Sequence, residues 1–144
     1  MSVRTDYAVR ALLCLADADP ELLQLGAICA EQALPRKFAE AILGDLRRAG
    51  LVDSKRGPNG GYSLAIPAER ITLAAVLRAV DLPLAELRGL LPDARTQYTS
   101  VAAHVPELWN ALRASLDQVL EQTTLAQVLS GALPEHVRAL TGPA

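Results

Sequence analysis

Near the N-terminus, apolar residues recur every three or four positions. Tyr7, Ala8, Ala11, Leu12 and Leu15 fall on one side of a helix. The spacing predicts a first helix over residues 6–17, with Thr5 as its cap and Asp6 suited to the dipole of the first turn. Residues 17–21, with Pro20, break the pattern. A short second helix is expected over 25–32, with Leu25, Ile28 and Cys29 facing inward. Ala33 and Leu34 turn the chain. Pro35 then fits the first position of a third helix, where a missing N–H is no loss. That helix is expected to run to Ala49 on a buried stripe of Phe38, Ile42, Leu46 and Ala49, supported by Leu43. Its other faces hold Arg36, Lys37, Glu40, Arg47 and Arg48.

At Gly50 the period changes. Gly50 is placed to end the helix in the left-handed conformation, and Leu51-Val52 starts a strand. Gly57, Pro58, Asn59, Gly60 and Gly61 are a dense turn signal. Tyr62, Leu64 and Ile66 then alternate with Ser63 and Ala65, the period of a half-buried strand. The hairpin presents Lys55 and Arg56 at the shoulder of a tip nearly bare of side chains, narrow enough for a nucleic-acid groove. A short helix, a tight turn and a longer helix form a helix-turn-helix pattern, common by itself. Followed directly by this hairpin, it predicts a mainly α, winged helix-turn-helix domain with a two-stranded β-wing over residues 1–82.

Residues 67–70 connect to a helix over 73–80, capped by Thr72, with Val76, Leu77 and Val80 apolar. Pro83 ends it, residues 84–91 suit one or two further turns, and 92–100 carry no decisive pattern. Pro106 opens a long helix to about Gln122. Its Trp109, Leu112, Leu116 and Val119 have the spacing of a seam between packed helices, widened by Leu120. Thr123 or Thr124 caps a last short helix over 125–129, and the tail over 131–144 is expected to be loosely ordered.

Charge sharpens this picture. The net charge is −2, yet Arg36 to Arg56 holds six cations against three acids, while residues 67–144 hold six cations and eight acids. A local basic patch suits a phosphate backbone, although solvated helix faces would read the same way. Aromatics make up 3%, so stacking on single-stranded bases is not the main device. The loop at 57–61 leads into a strand and lacks a Gly-Lys-Ser/Thr ending, so it does not read as a phosphate cradle. No Ser/His/Asp set, Cys/His set or metal-ligand cluster stands out, and His104 has no second ligand at a metal spacing. An enzyme is therefore not expected. Cys14 and Cys29 lie within apolar helical patterns and read as buried free thiols. No signal peptide precedes the first helix and no apolar run reaches the ~18 residues of a membrane span, so a soluble, cytoplasmic protein is expected.

Several of these stretches together resemble the IscR/NsrR-type family of bacterial winged-helix transcription regulators, the Rrf-two family. They are Tyr7-Ala8-Val9-Arg10-Ala11-Leu12, Ala49-Gly50-Leu51-Val52 and Arg56-Gly57-Pro58-Asn59-Gly60-Gly61-Tyr62, with Ile71-Thr72-Leu73, Leu108-Trp109 and Thr123-Thr124-Leu125. The likeness covers about residues 2–129, and the glycine-rich wing is its most specific part. It implies a homodimer whose long helices cross in a dimerisation region over 83–130 through Trp109, Leu112, Leu116 and Val119. Each subunit would place one winged helix on a half-site of palindromic double-stranded DNA. By position, Arg56 matches the wing arginine of the minor groove, while Pro35, Arg36, Lys37 and Glu40 match the start of the recognition helix. Arg4 and Thr5 match an N-terminal segment near the backbone. Lys55, Arg47 and Arg48 are phosphate candidates, and Asn59 sits in the wing.

The departures concern the cofactor. Many members hold an iron–sulfur cluster on three cysteines before the long helix, but this chain has no cysteine after Cys29. Ala103 stands at the third cysteine position and Pro106 at the histidine position of one branch. Asp6 matches the acidic ligand of the nitric-oxide-sensing branch but lacks its cysteine partners. No cofactor is expected, because thiolates are what hold such clusters. The expected role is a repressor, and the signal is left open among a small molecule, a protein partner, thiol chemistry at Cys14 or Cys29, or none. The rival reading is a winged-helix module that binds protein.

Overall fold

The structure, a computed structural model, describes residues 3–80, 92 and 95–143. Helix α1 (Val3–Ala18) turns Ala8, Ala11, Leu12 and Leu15 inward as its spacing requires. It begins earlier than the sequence suggested. Thr5 is therefore not a cap but an interior helical residue, 4% exposed. The first turn is held down by Arg4, whose guanidinium donates to the Val80 carbonyl (3.1 Å) and to Asp45.

Helix α2 (Leu25–Gln32) matches its expected bounds and ends on Ala33 in the left-handed conformation. Helix α3 (Arg36–Arg48) starts one residue later than expected, with Pro35 as the N-cap in extended backbone. Ala39, Ile42, Leu43 and Leu46 form its buried stripe. Phe38, expected in that stripe, is 51% exposed. Each residue advances a helix by about 100°, so Ala39 takes the inward place and Phe38 swings to the flank. There its ring meets Tyr7 edge-on, with centroids 6.3 Å apart. Ala49, also expected inside, is the exposed C-cap. Beyond it the chain forms a Schellman stop. Gly50, at φ 81, donates to the Arg47 carbonyl (3.0 Å), and Leu51 donates to that of Leu46 (3.0 Å).

The stop delivers the chain into strand β1 (Val52–Lys55), which pairs antiparallel with β2 (Gly61–Leu64). Val52 faces Leu64 and Lys55 faces Gly61, leaving residues 56–60 as the tip. Strand β2 stops at Leu64, so Ile66 packs on the core from outside the ladder. After one 3-10 turn (Ala68–Arg70), helix α4 (Leu73–Val80) is capped by Thr72, whose Oγ1 accepts from the Ala75 N–H (3.2 Å). The turns expected over 84–91 lie outside the described residues.

Helix α5 (Val105–Gln122) carries Pro106 in its first turn. Helix α6 (Leu125–Ser130) opens with a capping box between Thr124 and Gln127. The tail is not uniformly loose: helix α7 (Glu135–Leu140) forms within it and buries Val137. Residues 71–73 and 123–125 join side by side, Leu73 donating to the Thr123 carbonyl (3.0 Å) and Leu125 to that of Ile71 (2.9 Å). One core then unites α1, α2, α3 and β1 with Ile71, Val76, Val80 and Leu125. Leu125 thus seats the segment after α5 on the winged domain, across the boundary expected near residue 82. A second, small cluster joins Ala74 and Leu77 to Leu120 of α5.

Leu46→Ala should destabilise the protein by about 2–5 kcal/mol, as for a fully enclosed Leu. Phe38→Ala should cost about 1 kcal/mol or less, because much of that ring is already wet. Urea unfolding of the two variants checks this, and equal losses would return Phe38 to the core.

Candidate nucleic-acid interface

The basic side chains expected to meet DNA divide into two groups. Arg36, Lys37 and Glu40 on α3 and Lys55, Arg56 and Asn59 on the hairpin are all exposed, as is Pro35. The other group is engaged within the protein. Asp45 accepts from both Arg4 and Arg48, and Arg47 donates to Ser54 Oγ (2.9 Å), tying the end of α3 to β1. Thr5 is enclosed and unavailable to a phosphate.

The hairpin is anchored by residues that the sequence pattern did not single out. Leu23, just before α2, exchanges two backbone hydrogen bonds with Tyr62 (2.9 and 2.7 Å) and so bridges the outer edge of β2. Gln24 Nε2 donates to the Pro58 carbonyl at the wing tip (3.1 Å). The close approach needs glycine. Gly61 has φ 145, and a Cβ there would stand 2.6 Å from the Leu23 carbonyl oxygen. A Cβ on Gly60 would overlap the Lys55 carbonyl in the same way. Arg36 also borders α2, since a Cβ on Gly26 would lie 3.9 Å from its Nη1. The wing tip and the start of α3 thus both adjoin the first turn of α2. Two separated stretches of sequence, each carrying exposed cations, border the same short helix.

Known transcription regulators share this architecture. Residues 1–131 match the family model Rrf2, described as "Iron-dependent Transcriptional regulator". The chain belongs to the Rrf2 family. It is 45% identical over 142 residues to a protein of Mycobacterium tuberculosis named as an HTH-type transcriptional regulator, covering 97% of this chain and 87% of that one. It is 31% identical over 137 residues to the HTH-type transcriptional regulator IscR of Cereibacter sphaeroides, covering 92% and 88%. Among solved structures, T. potens IscR superposes with a TM-score of 0.68 at 29% identity over 92% of this chain and 87% of that one. CymR, the global cysteine regulator of B. subtilis, does so with 0.71 at 26% identity over 90% and 95%. This Rrf2 chain is a transcription regulator on a winged-helix DNA-binding fold, not an enzyme. No helix among the described residues is long and apolar enough to cross a membrane.

The donor set of this Rrf2 chain does not fit an iron–sulfur cluster. Its two cysteines lie on α1 and α2, within the winged domain, and no third exists. No group of three or more His, Cys, Asp or Glu is placed to hold a metal among the described residues. Asp6 instead pairs with Arg10 one turn on (3.1 Å), and His104 stands near Glu107 (3.4 Å). Cys14 is 3% exposed, and burial, reinforced by the Glu31 carboxylate, pushes its thiol up from 9.0 to about 11. Cys29 is only half-buried.

Because the folded state holds the Cys14 proton more tightly than the unfolded chain, the sign of the pH effect is fixed. That contribution to stability is complete below pH 9 and lost as pH rises toward 11. A Cys14→Ala variant should lack this alkaline component in unfolding titrations. At pH 8, iodoacetamide should modify Cys29 well before Cys14, as mass spectrometry of peptides can establish. Equal labelling rates would contradict the burial.

Proposed function

We propose that this protein is a homodimeric, sequence-specific repressor that works without an iron–sulfur cluster. The observation that carries the reading is the exposed Arg56 on a glycine hairpin clamped to the start of α2, which the exposed Arg36 at the start of α3 also borders. The N-terminus of α3 enters the major groove, where Arg36, Lys37 and Glu40 reach base edges. Arg56 enters the adjoining minor groove, where a guanidinium suits a narrow A·T-rich segment. Lys55 and Arg47 contact phosphate. Arg48 and Arg4 contribute less, because they share the opposing charge of Asp45.

The dimer forms along α5, in the dimerisation region over 83–130. Leu108 is 59% and Leu112 43% exposed, and Val119 continues the same face two turns on. An exposed Leu pair on a long helix supports a second copy packing there. Trp109 and Leu116 turn partly toward their own chain and play a smaller part than the sequence pattern suggested. Leu108 takes their place at the seam. A two-fold axis would set two winged helices on a palindromic operator, in the cytoplasm.

Arg56→Ala should weaken binding to a duplex from the promoter of the protein's own gene by about 1–3 kcal/mol in a gel-shift titration. The log of the wild-type affinity should fall with log salt, with a slope growing by about 0.9 per phosphate contacted. Weak, salt-insensitive and sequence-independent binding would favour a protein-binding module. Leu112→Asp should shift the protein toward monomer in analytical ultracentrifugation, while a persistent dimer would place the interface elsewhere.

A further inference from the structure

A cavity of about 140 Å³ lies between the segment before α5 and the first turns of that helix. Its lining is rich in hydrogen-bond donors. Trp109 and Arg113, one turn apart on α5, form one wall with Asn110, and Thr96 and Tyr98 form another. Arg113 is already oriented, donating to Asn110 Oδ1 (3.3 Å) and to the Pro92 carbonyl. Trp109 Nε1 is buried and has no acceptor among the described residues. An indole N–H can only donate, and a buried donor left unmatched is unfavourable. Among the described residues, neither aspartate nor glutamate lines this cavity. The walls therefore offer a positive charge, an unmatched N–H and two hydroxyls, and ask for an acceptor.

We infer that this cavity binds a small anion, either a short carboxylate or an inorganic oxyanion, between Arg113 and Trp109. A cavity of this size holds a molecule of about six non-hydrogen atoms. The guanidinium pairs with the anion, and the indole and hydroxyl groups complete its hydrogen bonds. The occupant would tie residues 96–98 to α5. Since α5 carries the dimer face proposed above, its orientation would then report the ligand. That consequence rests on the dimer reading, whereas binding itself does not.

The protein supplies its own probe, because Trp109 is its single tryptophan. The full chain is titrated with pyruvate, nitrate and phosphate at constant ionic strength, with chloride as control. Trp109 fluorescence should change saturably with at least one of the three and not with chloride. Pyruvate alone would identify a carboxylate site, and nitrate or phosphate alone an oxyanion site. Arg113→Gln should weaken binding about tenfold or more, the loss expected for a charge-assisted hydrogen bond. Tyr98→Phe and Thr96→Val remove a hydroxyl each with little change of shape. At least one should weaken binding, which keeps the test decisive if Arg113→Gln does not fold. No saturable response, a response shared by chloride, or unchanged affinity in every folded variant would overturn the inference and leave a cavity filled by water. The titration contains no DNA, so its failure is separate from failure of the operator reading.

Discussion

Two backbone hydrogen bonds between Leu23 and Tyr62 hold the arrangement together. A hairpin of four-residue strands is marginal in water by itself, because it has little to pack against. Here it gains an edge bridge from the segment before α2 and a floor from Val52, Tyr62 and Leu64 on the core. The clamp fixes where the wing stands relative to α2, and α2 packs against α3. A cation at the wing tip and cations at the start of α3 therefore sit on one rigid body. Preorganised donors bind with less loss of side-chain and loop freedom than donors on mobile loops. Glycine at 61 is the condition for the clamp, since a larger residue would collide with the Leu23 carbonyl.

Charge is arranged with the same economy. Asp45 holds Arg4 and Arg48 and through them connects α1, α3 and the last turn of α4. These pairs are partly exposed, so their direct effect on stability is small. Their larger effect is on the surface. They set one carboxylate against two cations of the basic patch, while Arg36, Lys37, Arg47, Lys55 and Arg56 stay exposed. The local field is narrower than a count of basic residues suggests, which suits one groove-sized target on a protein of net charge −2.

Helix α5 faces in two directions. Leu120 anchors it to Ala74 and Leu77, and Trp109 and Arg113 look toward the segment that precedes it. Leu108 and Leu112 point away from the rest of the chain. A helix fastened at one end and apolar on its free side is suited to joining the winged domain to a second copy. In the proposed dimer, an anion held beside Trp109 would act on that junction.

The helices, the hairpin and the family resemblance were legible because they depend on local chemistry. Helical periodicity set α1 to α5, Gly50 set the stop after α3, and Thr72 and Thr124 set two caps. The exposed Arg36, Lys37, Lys55 and Arg56 were legible for the same reason, since turn and helix-start positions are seldom covered. What remained hidden depended on partners distant in the chain. Nothing near residue 23 announces a bridge to Tyr62, and nothing near Arg4 or Arg48 announces that Asp45 will engage both. Phe38 and Ala39 differ by one step around a helix, and only packing against α1 decides which is enclosed. Which residues of α5 stay exposed, Leu108 and Leu112 more than Trp109, depends on packing in the same way. Sequence determined the elements and the chemistry they carry. Tertiary structure decided which side chains stay free to act, because burial and pairing belong to contacts that no single stretch contains.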